Sequence, residues 1–252
     1  MTDKILMYEE LSLNALPALQ TQFYDGWVLR FTVGYSYTSR ANSVNMLYGS
    51  TLDLDTKIAE CERRYFGLDK PAVFKITDST DADIDNLLSQ KGYTALAHTY
   101  LMTAELPSGQ YLSNDCIFTY YIDKDWLDTY FTLSKYTDCQ KIAVANQVFG
   151  NIKTDVVCGR LIKESVAVAC GLMVIERGYA GLYNVVTDEN QRGKGYGMEL
   201  CKALLSEAYR IGAHTAYLQA VQENTTAINL YKKLGFMAIY SYWYRAKEKT
   251  KA

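Results

Sequence analysis

The stretch from Gln191 to Gly197 reads Gln-Arg-Gly-Lys-Gly-Tyr-Gly, so bare backbone alternates with positive charge. Glycine lets main-chain N–H groups approach a ligand closely, and the free N–H groups of a helix start favour anions. The chemistry this suggests is the holding of a phosphate. Spacing narrows the choice. A dinucleotide fingerprint, G-x-G-x-x-G, fails in both registers, because Met198 or Leu200 stands at the last glycine position. A nucleotide P-loop needs Ser or Thr after Gly-Lys, and Lys194 is followed by Gly195. What remains is Arg192-x-x-Gly195-x-Gly197, with Arg192 and Lys194 adding direct attraction. Taken alone, the same pattern also describes a solvated turn ahead of a helix.

The loop sits where a strand should meet a helix. Residues 165–188 give two β-rich runs meeting at Glu176 to Gly178, a hairpin signal. From Gly197 to Ile211 the apolar residues Met198, Cys201, Leu204, Leu205 and Ala208 recur at helical spacing, and Gly212 stops the run. His214 to Val221 reads as a strand. Asn224 suits the N-cap of a further helix that places Ala227, Tyr231 and Leu234 on one side. Gly235 suits the position just past its end, and Lys232 and Lys233 suit its negative pole. Residues 236–246 read as a last strand, whose free edge could pair with the other lobe or with a second chain. Upstream, 125–136 and 139–149 read as helices before a strand at Thr154 to Leu161.

The first half has a similar rhythm: strands at 23–34 and 38–49, a helix at 54–67, a strand at 72–77, a helix at 81–93 and a strand at 94–106. Strand, strand, helix, strand, helix, strand thus occurs twice, which implies an internal duplication. Turn formers crowd Leu106 to Asp115, so the boundary is expected there, with domains at 1–110 and 111–252.

Composition bounds the function. The chain has 252 residues and a formal net charge of −2, which gives no basic excess for a nucleic-acid partner. The opening residues lack a signal architecture, and no apolar run is long enough for a membrane span. A cytoplasmic protein is expected. The cysteines form no C-x-x-C pair and are expected as reduced core residues; the histidines, His98 and His214, lie far apart, so no metal site is expected.

The strand, the R-x-x-G-x-G loop, the amphipathic helix, the next strand and the run Asn224 to Phe236 together resemble the GNAT superfamily of acetyl-CoA-dependent acetyltransferases, over roughly Ala167 to Arg245. The first half resembles a degenerate copy, with no G-x-G in the run from Asn45 to Lys57 where the loop would fall. The implied architecture is α/β: tandem GNAT-like folds, each a mixed, mostly antiparallel sheet flanked by helices. The resemblance implies acetyl-CoA as cofactor, with its diphosphate on Arg192, Gly193, Lys194, Gly195, Tyr196 and Gly197. It implies a pantetheine arm along the strand edge Asn184, Val185, Val186 and Thr187, with an amide near Val186 or Thr187 facing the oxyanion.

By the same resemblance Tyr231 is the general acid for the leaving thiolate, and Asn224 contacts the cofactor near its sulfur. The alternatives are that Tyr231 only packs its helix and that Asn224 only caps it. Many relatives carry a carboxylate or histidine base on the strand before the loop. Here that strand has only Tyr183 and Asn184 as polar side chains in its middle, so no base is named. Trp27, Arg30, Arg40, Asn42 and Asn45 interrupt apolar strands of the first half with polar groups and are candidates for the acceptor site or for an exposed strand face. The expected activity is acetyl transfer to a primary amine of a small molecule, amino acid or peptide. The alternative is a non-catalytic acyl-CoA binder or sensor. A homodimer is left open.

Overall fold

The computed structural model describes residues 3–32, 38–106, 111 and 113–250. The elements in chain order are α1 (Asp3–Ala15), β1 (Gln20–Tyr24), β2 (Trp27–Phe31), a 3-10 turn (Ser39–Ala41), β3 (Val44–Met46), α2 (Leu54–Gly67), β4 (Ala72–Thr77), α3 (Ala82–Gln90) and β5 (Thr94–Glu105). They continue with β6 (Cys116–Thr119), α4 (Lys124–Leu133), α5 (Cys139–Gly150), β7 (Asp155–Lys163), β8 (Val166–Glu176), β9 (Tyr179–Thr187), a 3-10 turn (Glu189–Gln191), α6 (Tyr196–Arg210), β10 (Thr215–Val221), α7 (Thr225–Lys233) and β11 (Met237–Lys247). The architecture is mixed α/β. The described residues fall into two compact units. Unit 1 holds those within 1–100, 221–223 and 240–252; unit 2 holds those within 101–220 and 224–239. Of the run Leu106 to Asp115, residues 107–110 and 112 lie outside the described residues.

In unit 1 the strands run β1-β2-β3-β4-β11, antiparallel except for β3 beside β4. A parallel neighbour requires a crossover, which α2 supplies. One face of this sheet is apolar: Trp27, Leu29, Phe31, Val44, Phe74 and Ile76 close on Ile58, Cys61 and Tyr65 of α2 and Leu88 of α3. The last strand pairs Tyr242–Lys247 antiparallel with Thr77–Ala72, so residues from late in the sequence complete a sheet begun by its first half.

The first sequence run at 23–34 proves to be a hairpin. Asp25 and Gly26 both adopt positive φ, the conformation of a two-residue turn whose twist matches the flanking strands. The run at 38–49 yields only the short turn and β3. Helix α1 has no counterpart in the sequence reading. Its buried face carries Glu9 and Ser12 among Tyr8, Leu11 and Ala15, and those polar residues obscure its period.

In unit 2 the order is β10-β9-β8-β7-β6, antiparallel except for β9 beside β10, joined through α6. Helix α6 seats closely because Gly159 and Gly171 have no side chain: a Cβ at either would stand 2.9 Å from Leu204. Helix α4 packs on β7, β8 and β9, with the Trp126 indole N–H donating to the Gly171 carbonyl at 3.0 Å. Cys61, Cys158, Cys170 and Cys201 are buried as expected of small core residues, Cys116 is half-buried, and Cys139 at the start of α5 is exposed.

Candidate functional site

Strand β9 is irregular where the sequence places the cofactor edge. Cys170 pairs with Val186 and Leu172 with Tyr183, so Asn184 and Val185 together oppose the single residue Gly171. This is a β-bulge, and Asn184 accommodates it at φ +52, a region asparagine tolerates. A bulge interrupts the ladder and re-aims the backbone. On the other side β9 pairs with β10 only from Tyr179 to Gly181. Beyond Gly181 the parallel strands part, and the edge from Leu182 to Thr187 has no ladder partner there among the described residues. The fork is crowded with aromatic rings. Tyr183 and Tyr217 meet edge to face at 6.1 Å, and a Cβ on Gly181 would come within 2.6 Å of the Tyr217 hydroxyl.

The chain then turns toward α6. The Asp188 carboxylate accepts the Asn190 N–H at 2.8 Å, and the Gln191 N–H donates to the Asp188 carbonyl at 2.9 Å. Gly193 (φ +79) and Gly195 (φ +85) follow in left-handed conformations. Gly195 is the N-cap of α6 and supplies no side-chain acceptor. The first helical bond is Glu199 N–H to the Gly195 carbonyl, at 3.0 Å. The amides from Gly193 to Met198 therefore have no acceptor among the described residues. Nothing lies within 4 Å of where a Cβ would stand on Gly193 or Gly195, so the cradle is open. The positive end of the α6 dipole points into it. The Lys194 ammonium donates to the Gln191 side chain at 2.7 Å, and Arg192 is exposed. Gly197 serves a different purpose. A Cβ there would stand 3.2 Å from Thr187 Oγ1 and 3.4 Å from Leu230, so its absence lets α6 start against β9 and α7.

Helix α7 brings Tyr231 to the same region. Asn224 caps the helix, its Oδ1 accepting the Ala227 N–H at 3.1 Å. The Tyr231 ring packs edge to face on Phe236 at 5.9 Å. Burial, with a smaller contribution from nearby Cys201, pushes its phenol further above the ordinary value, so it keeps its proton throughout the neutral range. Its hydroxyl makes no hydrogen bond among the described residues. The arrangement is a bare cluster of amides, an unpaired strand edge and a protonated phenol, all in unit 2. It fits a bound diphosphate with an extended amide-bearing chain. Among the described residues no group of His, Cys, Asp and Glu is placed to hold a metal, and no helix is long and apolar enough to cross a membrane.

The first-half candidates belong to unit 1. Trp27 is a core residue, its ring 5.8 Å from Phe74 with the Lys57 ammonium 3.9 Å from its centre. Buried Arg30 donates to the carbonyls of Leu13, Leu16 and Arg40. Buried Asn45 donates to Ser43 and, at 3.5 Å, to the Val28 carbonyl. Asn42 is spent on its own loop, accepting from the Thr32 N–H at 2.7 Å. Trp27, Arg30 and Asn45 thus face the interior of unit 1 instead of an exposed strand face; Arg40 is half-buried. Sequence reasoning missed the bulge at Asn184, and although the resemblance implies two parallel strands that splay apart, it did not place the fork at Gly181. The only signals were an asparagine and a glycine inside an otherwise β-branched and aromatic strand.

Over residues 2–245 the chain matches a family described as "Probable histone acetyltransferase Rv0428c C-terminal". It is 29% identical over 253 residues to a Bacillus subtilis (strain 168) protein named "Uncharacterized N-acetyltransferase YobR", covering 97% of this chain and 99% of that one. Its fold resembles "GCN5-related N-acetyltransferase from Kribbella flavida", with a TM-score of 0.65 at 12% identity over 98% of this chain and 95% of that one. It also resembles a "Tandem GNAT protein from the clavulanic acid biosynthesis pathway (without AcCoA)", with a TM-score of 0.66 at 10% identity over 97% and 88% of the respective chains. At such identities the structural likeness concerns the fold alone.

Proposed function

The chain belongs to the Rv0428c-type acetyltransferase family and is a GNAT N-acetyltransferase, and from that premise we propose that it moves an acetyl group from acetyl-CoA to a primary amine of a small molecule, amino acid or peptide in the cytoplasm. The observation that carries the reading is the open cradle of amides from Gly193 to Met198 at the head of α6. In this reading residues 111–252 are the catalytic copy of a duplicated fold, and 1–110 are a copy without cofactor chemistry.

When bound, acetyl-CoA supplies an activated thioester. The amides of Gly193 through Gly197, with Arg192 and Lys194, hold its diphosphate. The bulged edge Asn184, Val185, Val186 and Thr187 offers backbone groups to the pantetheine amides, as an added strand would use them. An amide near Val186 or Thr187 stabilises the oxygen that gains charge when the amine attacks. Tyr231 holds a proton at its hydroxyl and gives it to the departing sulfur; burial keeps the proton in place until then. Asn224 lies at the start of the same helix and steadies the cofactor near that sulfur. The acceptor amine must arrive neutral, because only the free base carries a lone pair.

Membership of an acetyltransferase family favours a catalyst over a sensor. Calorimetry with CoA, followed by thiol release from acetyl-CoA across a panel of amines, tests both halves of the reading. Saturable binding with turnover on at least one amine is expected. No heat with CoA would end it, and binding without turnover on any amine would return the sensor reading.

A further inference from the structure

The narrow end of the fork in unit 2 is closed by two rings. The ladder between β9 and β10 stops where Gly181 stands opposite Tyr217. Tyr183 follows two residues past Gly181, so its side chain lies on the face where Gly181 has none. Gly181 pairs with Val174, three residues along β8 from Gly171, and Gly171 faces Leu204 of α6. Gly181, Tyr183 and Tyr217 therefore meet on the face turned away from α6. A Cβ on Gly181 would stand 2.5 Å from Cε2 of Tyr183 and 2.6 Å from Cζ of Tyr217. No side chain fits at Gly181, and the corner belongs to the rings. They are buried, at 5% and 1% exposure. Buried rings of this size are rigid, and a packed interior takes an added methylene only by shifting its neighbours.

What meets that corner follows from the proposed function, on which this inference rests. A diphosphate at Gly193 to Gly197 starts the cofactor at the head of α6. A pantetheine arm running back along Thr187, Val186, Val185 and Asn184 then brings the sulfur to the mouth of the fork, next to Tyr183. The acyl group is the part of the cofactor left to enter. Helix α7, which carries Tyr231, stands against the start of α6, where a Cβ on Gly197 would be 3.4 Å from Leu230. A sulfur turned toward Tyr231 leaves the acyl group turned toward the opposite face, where Tyr183 and Tyr217 close the corner.

We propose that Tyr183 and Tyr217 set the acyl length this protein accepts: an acetyl group fits short of the two rings, and each further methylene must displace one of them. The bulk of the rings does the sorting, and their hydroxyls do not. Calorimetry of the full chain with CoA, acetyl-CoA, propionyl-CoA and butyryl-CoA tests this. CoA and acetyl-CoA should bind alike, and the dissociation constant should rise about tenfold with each added methylene. Tyr217→Leu opens the corner and should bring butyryl-CoA to within about threefold of acetyl-CoA. Tyr183→Leu should do the same, and it covers the case in which Tyr217→Leu does not fold. The readout is a ratio of two affinities on one protein, so a general loss of stability does not move it. Tyr217→Phe keeps the ring and should keep the wild-type ratio. Equal affinity for acetyl-CoA and butyryl-CoA in wild type would overturn the proposal. So would an unchanged ratio in a folded leucine variant, or a ratio lost in Tyr217→Phe. Those results leave the reading of the α6 loop standing, whereas no heat with CoA itself overturns that reading and this inference with it.

Discussion

The two units solve the same local problem in opposite ways. Each has one parallel strand pair bridged by a helix, α2 between β3 and β4 and α6 between β9 and β10. Each bridging helix begins with N–H groups that need acceptors. In unit 1 the protein supplies them. Asp53 caps α2 by accepting the Thr56 N–H at 2.9 Å. Asp25, from the β1–β2 turn, accepts the N–H groups of Thr51 and Leu52 at 2.9 Å, and its Oδ2 lies 3.1 Å from the Lys57 ammonium. In unit 2 the corresponding turn residue, Glu164, has no such bonds among the described residues, and α6 begins at an uncapped glycine. One helix start is filled by built-in carboxylates, and the other is left open, where the proposed function puts the diphosphate of the cofactor. On that proposal, a copy of the fold keeps its shape without the binding site when a carboxylate of its own takes the place of the anion.

That contrast can be broken most severely by making unit 2 resemble unit 1. Gly195→Asp places a carboxylate at the head of α6, in a left-handed position that aspartate tolerates. CoA affinity measured by calorimetry should fall by about two to three orders of magnitude, because like charges in one site cost several kcal/mol. Next in size is Tyr231→Phe. It should lower kcat about a hundredfold while leaving the CoA dissociation constant nearly unchanged; an unaltered kcat would assign Tyr231 to packing alone. Arg192→Ala, at an exposed position, should weaken CoA about threefold to fivefold, with the difference shrinking as salt rises.

The smallest functional effect is expected at the filled site. Asp25→Asn should leave CoA affinity at the wild-type level and lower the melting temperature. The N–H groups of Leu52 and Thr51, with Lys57, hold the Asp25 carboxyl well below its ordinary value. Its contribution is complete above the unfolded pKa near 4 and drains as pH falls through the depressed folded value. Thermal melts of wild type should therefore drop more steeply than those of Asp25→Asn between about pH 5 and pH 2. Parallel curves would mean that the carboxylate is not what fills the α2 start.

The loop of unit 2 was legible in the sequence because glycine spacing and helix period are local signals. The expected helix at Gly197 to Ile211 is found at Tyr196–Arg210, and the expected cap at Asn224 is made. The bulge was not legible, because it depends on which residues of β8 stand opposite, and register is a property of pairing. The β1–β2 hairpin was passed over although Asp-Gly is a strong turn signal, since the flanking aromatic residues continue across it as one apolar run. Arg30 and Asn45 read as surface interruptions, but they are buried against the main chain of their own unit. A polar residue on a strand signals a hydrogen-bond demand, and the sequence does not say whether backbone, solvent or ligand meets it.

Strand β11 lies between β4 and β5 in the sheet order, with the Thr94 hydroxyl donating to the Ala246 carbonyl and His98 stacked on Trp243. The elements from β6 to α7 leave the ribosome before β11 does, so the sheet of unit 1 can close on β4 only after most of unit 2 has been made.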